Sequence, residues 1–240
     1  MRMKNKTAEQ EKERMAHKER MRKTPSLNRS MPSIPKKKKI LIVCEGENTE
    51  PSYFRQFRLA TATVHPVGEG YNTESLVERA ILLSRKDKYD EVWCVFDKDD
   101  FSNQNFNASI ENARKSNLKV AYSNQAFEYW LLLHFEDHQG GPLHRNDYGD
   151  KINKYITPLG AYYDSDNSKL IDKNFFAILC GIDKRYAERR VDLAIKRARK
   201  IYERYTDDHP AVEKSLSVNP AKEESSTRVF LLVEEILKYI

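Results

Sequence analysis

Glu45, Glu47 and Glu50 stand within six residues, and Asp97, Asp99 and Asp100 within four, each trio directly following an apolar run. Carboxylates gathered in one place repel one another and resist ionisation unless a cation offsets their charge. The simplest resident is Mg²⁺ or Mn²⁺, a hard ion that takes oxygen ligands and keeps several waters for a phosphate substrate. Glu45 and Asp97 each come one residue after their run. Asp97 and Asp99 are two apart, a spacing that turns both to the same side in extended chain. Gly46, beside Glu45, lets the backbone turn sharply and approach a ligand closely. The competing reading is that loops after strands are polar anyway; either trio alone would carry little, and the pair carries the argument.

The elements that must position these acids follow from periodicity. Ile40–Cys44, rich in β-branched residues, and 91–96 read as strands covered on both faces. Further strands are expected at 61–67 and 118–122. Helices are expected after residue 49, with Thr49 as cap and Pro51 in the first turn, and at 73–86, 103–116 and 125–135. Alternation at this spacing predicts a parallel sheet with helices on both faces, whose binding crevice lies at the carboxyl ends of the strands. If the two strands are neighbours, Glu45 and Asp97 converge there. Residues 142–184 read as loops and short helices, 183–205 as one long helix, and the segment from 226 onward as the last helix.

Charge is divided unevenly. Residues 1–39 carry 14 Lys+Arg against 4 Glu, while the remaining 201 carry 28 against 32, so the overall +6 belongs to the tail. Such a tail cannot bury enough apolar surface to offset its chain entropy, so residues 1–37 are expected to be disordered, with 9–23 helix-compatible. Its closing run, Lys36, Lys37, Lys38 and Lys39, is a candidate contact for nucleic-acid phosphates. Cys44, Cys94 and Cys180 are few, scattered and without zinc spacing, as in a reducing compartment. No apolar run reaches the roughly 18 residues of a spanning helix, so the sequence predicts a cytoplasmic protein without membrane association.

The segments "KILIVCEGENTEPSYF", "VWCVFDKDD" and "AYSNQAFEYWLLLHF", with a late Asn219-Pro220 before "SSTRVFLLVEEI", resemble the RloB-like family of bacterial Toprim-domain proteins from about Lys38 onward. The resemblance implies a Toprim-like α/β core at 38–140 and a mostly helical part at 141–240 packed on it. It implies metal-dependent phosphodiester chemistry on RNA, tRNA among it, or on DNA. In it Glu45 acts as general acid/base or metal ligand, Asp97 and Asp99 hold the ion, and Glu50 and Asp100 are additional ligands. It further implies a role in phage defence by abortive infection and an ATPase partner. The oligomeric state has no signal in the residues. A regulatory adaptor that keeps the fold and binds an ATPase or a nucleic acid is the competing reading.

Asn124 and Glu128, at i, i+4 after a strand end, are read as pointing from one helix face into the same crevice. His134, His138 and His144 have partial zinc spacing, but no cysteine or acid completes a site, and His134 is read as a packed core residue. The basic residues at 184–200 are read mainly as a solvated helix face.

Overall fold

The structure is a computed structural model. It describes residues 4–22, 38–67, 73–99, 101–138, 141–164, 168–206 and 219–240. The chain divides into two units, Met1–Lys36 and Lys37–Ile240. In the first, helix α1 (Lys4–Arg22) contains most of the helix-compatible stretch, and its residues 8–20 are exposed. The rest of the expected disordered tail lies outside the described residues.

The second unit is α/β. Strands β1 (Ile40–Cys44), β2 (Ala62–Pro66), β3 (Glu91–Asp97) and β4 (Lys119–Ser123) form a parallel sheet in the order β2-β1-β3-β4. β1 and β3 are the central pair, with Ile40 opposite Glu91 and Cys44 opposite Val95. Burial on both faces explains their unbroken apolar runs. One face is covered by helices α3 (Thr73–Ser84) and α4 (Asn103–Lys115), which pack Leu76, Val77, Phe106 and Ile110 against Leu41, Val43, Cys94 and Phe96. The other face carries a larger core. Helices α2 (Thr49–Gln56), α5 (Glu128–Leu133), α6 (Tyr148–Ile156), α7 (Lys173–Cys180), α8 (Arg190–Thr206) and α9 (Val229–Leu237) bury it around the fully enclosed Tyr53 and Trp130.

Three local expectations are corrected. Thr49 does not cap α2: the N-cap is Asn48, without a side-chain bond, and Thr49 is the first helical residue. The helix read at 183–205 begins only at Arg190, after a small hairpin of β5 (Ile182–Asp183) and β6 (Glu188–Arg189). The Asp183 carboxylate pins that hairpin through the Arg185 guanidinium, at 2.7 Å, which a helical start would not allow. The helix read at 125–135 is narrowed to α5, and Gln125 takes a left-handed φ of 81° before it.

A segment from the far end of the chain closes β4. The Ser226 carbonyl accepts from the Asn124 N–H at 2.8 Å, the Arg228 N–H donates to the Tyr122 carbonyl at 2.7 Å, and Thr227 bridges Ser123 antiparallel. This satisfies backbone groups that a sheet edge would otherwise leave open.

Candidate functional site

The acids meet at the carboxyl end of the sheet, above β1 and β3. Glu45 extends β1, its N–H bonded to the Val95 carbonyl at 2.9 Å, and its Oε2 accepts from the Asp97 N–H at 3.2 Å. Asp97 Oδ2 accepts from the Phe127 N–H at 3.0 Å, at the start of α5, while its Oδ1 is buried without a hydrogen-bond partner. Glu50 lies in the first turn of α2, 6% exposed, and its carboxylate accepts from its own N–H and from that of Gly46. Gly46 is needed for this packing, since a Cβ there would stand 2.5 Å from Glu50 Oε2. Glu128 opens α5, and its Oε1 accepts from the Tyr163 hydroxyl at 2.7 Å, with Lys169 Nζ 3.8 Å away.

Electrostatics binds these four acids into one system. Burial raises the Glu45 pKa to about 7, against the Asp97 N–H that lowers it, and Glu50 adds repulsion. Burial also pushes Glu50 up, with Glu128 adding repulsion. Asp97 is driven well above the carboxylate range by burial and then by Glu50, Glu128 and Glu45.

Not every sequence candidate joins them. Asp99 lies beyond the end of β3 with a left-handed φ of 44°, so the extended-chain argument that paired it with Asp97 does not hold. Its carboxylate meets the Arg145 guanidinium instead. Asn124 lies outside α5 and shares no helix face with Glu128; its amide donates to the carbonyls of Pro220 and Ala221, both at 3.2 Å. Lys38 is held by Glu91 and Glu235, and Lys39 by Asp87. Asp100, Lys36 and Lys37 lie outside the described residues. Among the described residues, no group of three or more His, Cys, Asp or Glu side chains is arranged to hold a metal ion. The histidines are spent separately: His134 Nδ1 faces the Trp130 carbonyl at 3.0 Å, His138 the Tyr129 hydroxyl, and His144 accepts from the Asn146 N–H. Burial lowers the His134 pKa to about 3, so it is a neutral core residue.

Sequence reasoning missed the wall of the site. Tyr163, Lys169 and Arg145 come from the region read as loops, and with Glu128 and Asn146 they line a cavity of about 160 Å³. Thr49 ties that wall to α2, donating to the Lys169 carbonyl at 3.0 Å and lying 3.2 Å from the Tyr163 hydroxyl. Burial, then Glu128, raises the Tyr163 pKa, so its hydroxyl stays a neutral donor. A much larger cavity, about 1150 Å³, runs outside β4 between Val120, Ile195 and Leu231 and touches none of the acids.

The model of the RloB-like protein family matches residues 40–236. The chain belongs to the RloB-like family. That span takes in the sheet, the four acids, the Tyr163 wall and most of α9. Neither the curated proteins nor the solved structures contain a match to it. Among the described residues of this RloB-like chain, no helix is long and apolar enough to cross a membrane.

Proposed function

We propose that this RloB-like protein is a Toprim-type phosphodiesterase, dependent on Mg²⁺ or Mn²⁺, that cleaves RNA or DNA as the effector of an anti-phage abortive-infection system. The observation that carries the reading is the charge imbalance at the end of β1 and β3. Glu45, Glu50, Asp97 and Glu128 act on one another, Asp97 Oδ1 is buried without a hydrogen-bond partner, and Lys169 and Arg145 are the cations beside them. An all-oxygen donor set of this kind suits a hard divalent cation. Glu45 and Asp97 would hold it, with Glu50 and Glu128 alongside and Asp99 added if Arg145 releases it. Bound there, such an ion would offset charge developing on phosphoryl oxygens and lower the pKa of a water. Where Glu45 is not itself a ligand, its carboxyl, pushed up to about 7 by burial, suits proton transfer at neutral pH. The defence role and the ATPase partner rest on the family resemblance.

The test is incubation of the purified protein with total RNA, plasmid and single-stranded DNA in Mg²⁺ or Mn²⁺, beside Asp97→Asn. Cleavage by the parent alone is expected; equal cleavage by the variant places the chemistry elsewhere. The second reading, an adaptor that binds an ATPase or nucleic acid without cutting, is favoured by Arg145 seated on Asp99 and by the lack of a ready-made ligand trio among the described residues. Calorimetry that finds no Mg²⁺ or Mn²⁺ binding would select it.

A further inference from the structure

The edge of the sheet formed by β4 is only half closed. In a parallel ladder, alternate residues turn both of their backbone groups toward the same neighbour. The Lys98 N–H donates to the Ser123 carbonyl at 2.9 Å, so Ser123, Ala121 and Lys119 face β3, while Tyr122 and Val120 face outward. The Tyr122 carbonyl is taken by the Arg228 N–H. The Tyr122 N–H and both backbone groups of Val120 have no hydrogen-bond partner among the described residues.

Val120 and Tyr122 line the large cavity outside β4, and its walls come from both layers of the fold. Ile110 and Leu118 belong to the core under α4, whereas Ile195, Leu231 and Leu237 pack on the opposite core. Val120, Ile195, Leu231 and Leu237 are only half-buried. Sheet edges are usually guarded by charge, a bulge or a proline. Lys119, the one charge on β4, is engaged by Glu91 at 2.9 Å, and the residue after it is aliphatic. Apolar walls on either side of open backbone groups are the surroundings of a strand, not of a solvated edge.

Charge narrows what fits there. At the cavity, Lys119, Lys196, Lys238 and Arg228 are paired with Glu91, Glu188, Glu235 and Glu223, and Asp192 and Glu234 with Arg189 and Arg199. Arg114 makes no ion pair among the described residues. The Leu118 N–H donates to the Ala113 carbonyl at 2.9 Å, which puts Arg114 at the Lys119 end of the strand.

We propose that this slot takes up an extended segment of a partner protein as an added strand on β4. Both faces of that strand meet apolar walls, so the segment is a continuous aliphatic run and not an alternating one. A carboxylate at its end beside Arg114 completes the match. The cavity touches none of the acids at the end of β1 and β3, so the inference stands apart from the phosphodiesterase reading.

The test starts from a displayed library of random peptides, about eight residues long, selected on the full-length chain. Enriched peptides are expected to share an aliphatic run with Asp or Glu at one end. The best of them, carrying a fluorophore, is then titrated by anisotropy. Val120→Pro removes an outward N–H that the β3 ladder does not use, a position where an edge strand accepts proline. It should weaken binding at least about tenfold, while Val120→Thr stays within about threefold of the parent. Arg114→Glu should cost about tenfold and be rescued by a peptide with Lys in place of its acid. N-methylation of the peptide needs no change in the protein: on one set of alternate residues it should abolish binding, and on the other leave it. A library that yields no such peptide would overturn the proposal, as would affinity indifferent to Val120→Pro and to both N-methylation sets. Sedimentation of the parent as a dimer that Val120→Pro dissolves would overturn it too, giving the slot to a second copy of the chain.

Discussion

Two regions bury carboxylates, and they solve the problem differently. Glu223, 1% exposed, is fully answered from within the protein: its Oε2 accepts from the Tyr122 hydroxyl at 2.7 Å and its Oε1 from Arg228 at 3.0 Å. The Arg228 guanidinium in turn lies over the rings of Tyr122 and Tyr202, at 5.0 and 4.7 Å. The acids at the end of β1 and β3 outnumber the cations beside them, and Asp97 keeps a buried oxygen without a hydrogen bond. Burial of a charge is tolerated where its counter-charge is built in, as at Glu223. At the sheet end the fold leaves repulsion in place, which is the arrangement expected where a ligand supplies the missing charge.

The largest test of this contrast is Arg228→Met. It leaves Glu223 buried and uncompensated, and should cost about 3–5 kcal/mol in urea unfolding. Asp97→Asn should do the reverse: cleavage falls about a hundredfold or more, while the urea midpoint stays level or rises, since a neutral amide replaces a carboxyl that burial already holds largely unionised. If Asp97→Asn destabilises as much as Arg228→Met, the two regions are not different in kind.

The pH dependence separates them next. Glu45 titrates at about 7 in the fold against 4.5 ordinarily, so between those values the native state holds a proton that the unfolded chain has released. Stability from this group is therefore lost as pH rises from about 4.5 to 7, on the order of 3 kcal/mol. Glu235 runs oppositely. Burial pushes it up, but hydrogen bonds from Lys238 and Lys38 outweigh this and hold it at about 2, so its contribution is present above 4.5 and lost as pH falls toward 2. Urea denaturation across pH, with and without Mg²⁺, checks both signs; Mg²⁺ should stabilise more at pH 8 than at pH 5. The smallest expected effect is Tyr163→Phe, which removes the donor to Glu128 and should cost about 1.5 kcal/mol with the fold retained, seen in the same unfolding assay.

The sheet was legible because burial on both faces writes itself as continuous runs such as Ile40–Cys44, and Glu45 and Asp97 were legible because they end such runs. The wall was not. Tyr163 and Lys169 reach Glu128 and Thr49 across 35 and 120 residues of chain, and no local period encodes such contacts. The spacing of Asn124 and Glu128 suggested a shared helix face, yet whether a helix runs through both depends on Gln125, whose left-handed φ is set by tertiary packing. The helical period of α8 also extended falsely into the hairpin before it, since Lys184, Arg185 and Arg189 suit either setting.

The bond from Thr49 to the Lys169 carbonyl has a consequence in time. A ribosome adding roughly 5–20 residues per second produces the acids of β1 on the order of ten seconds before the chain that walls them in. During that interval the carboxylates exist without the cavity that Tyr163 and Lys169 later line, so the order of synthesis decides when the wall can be built.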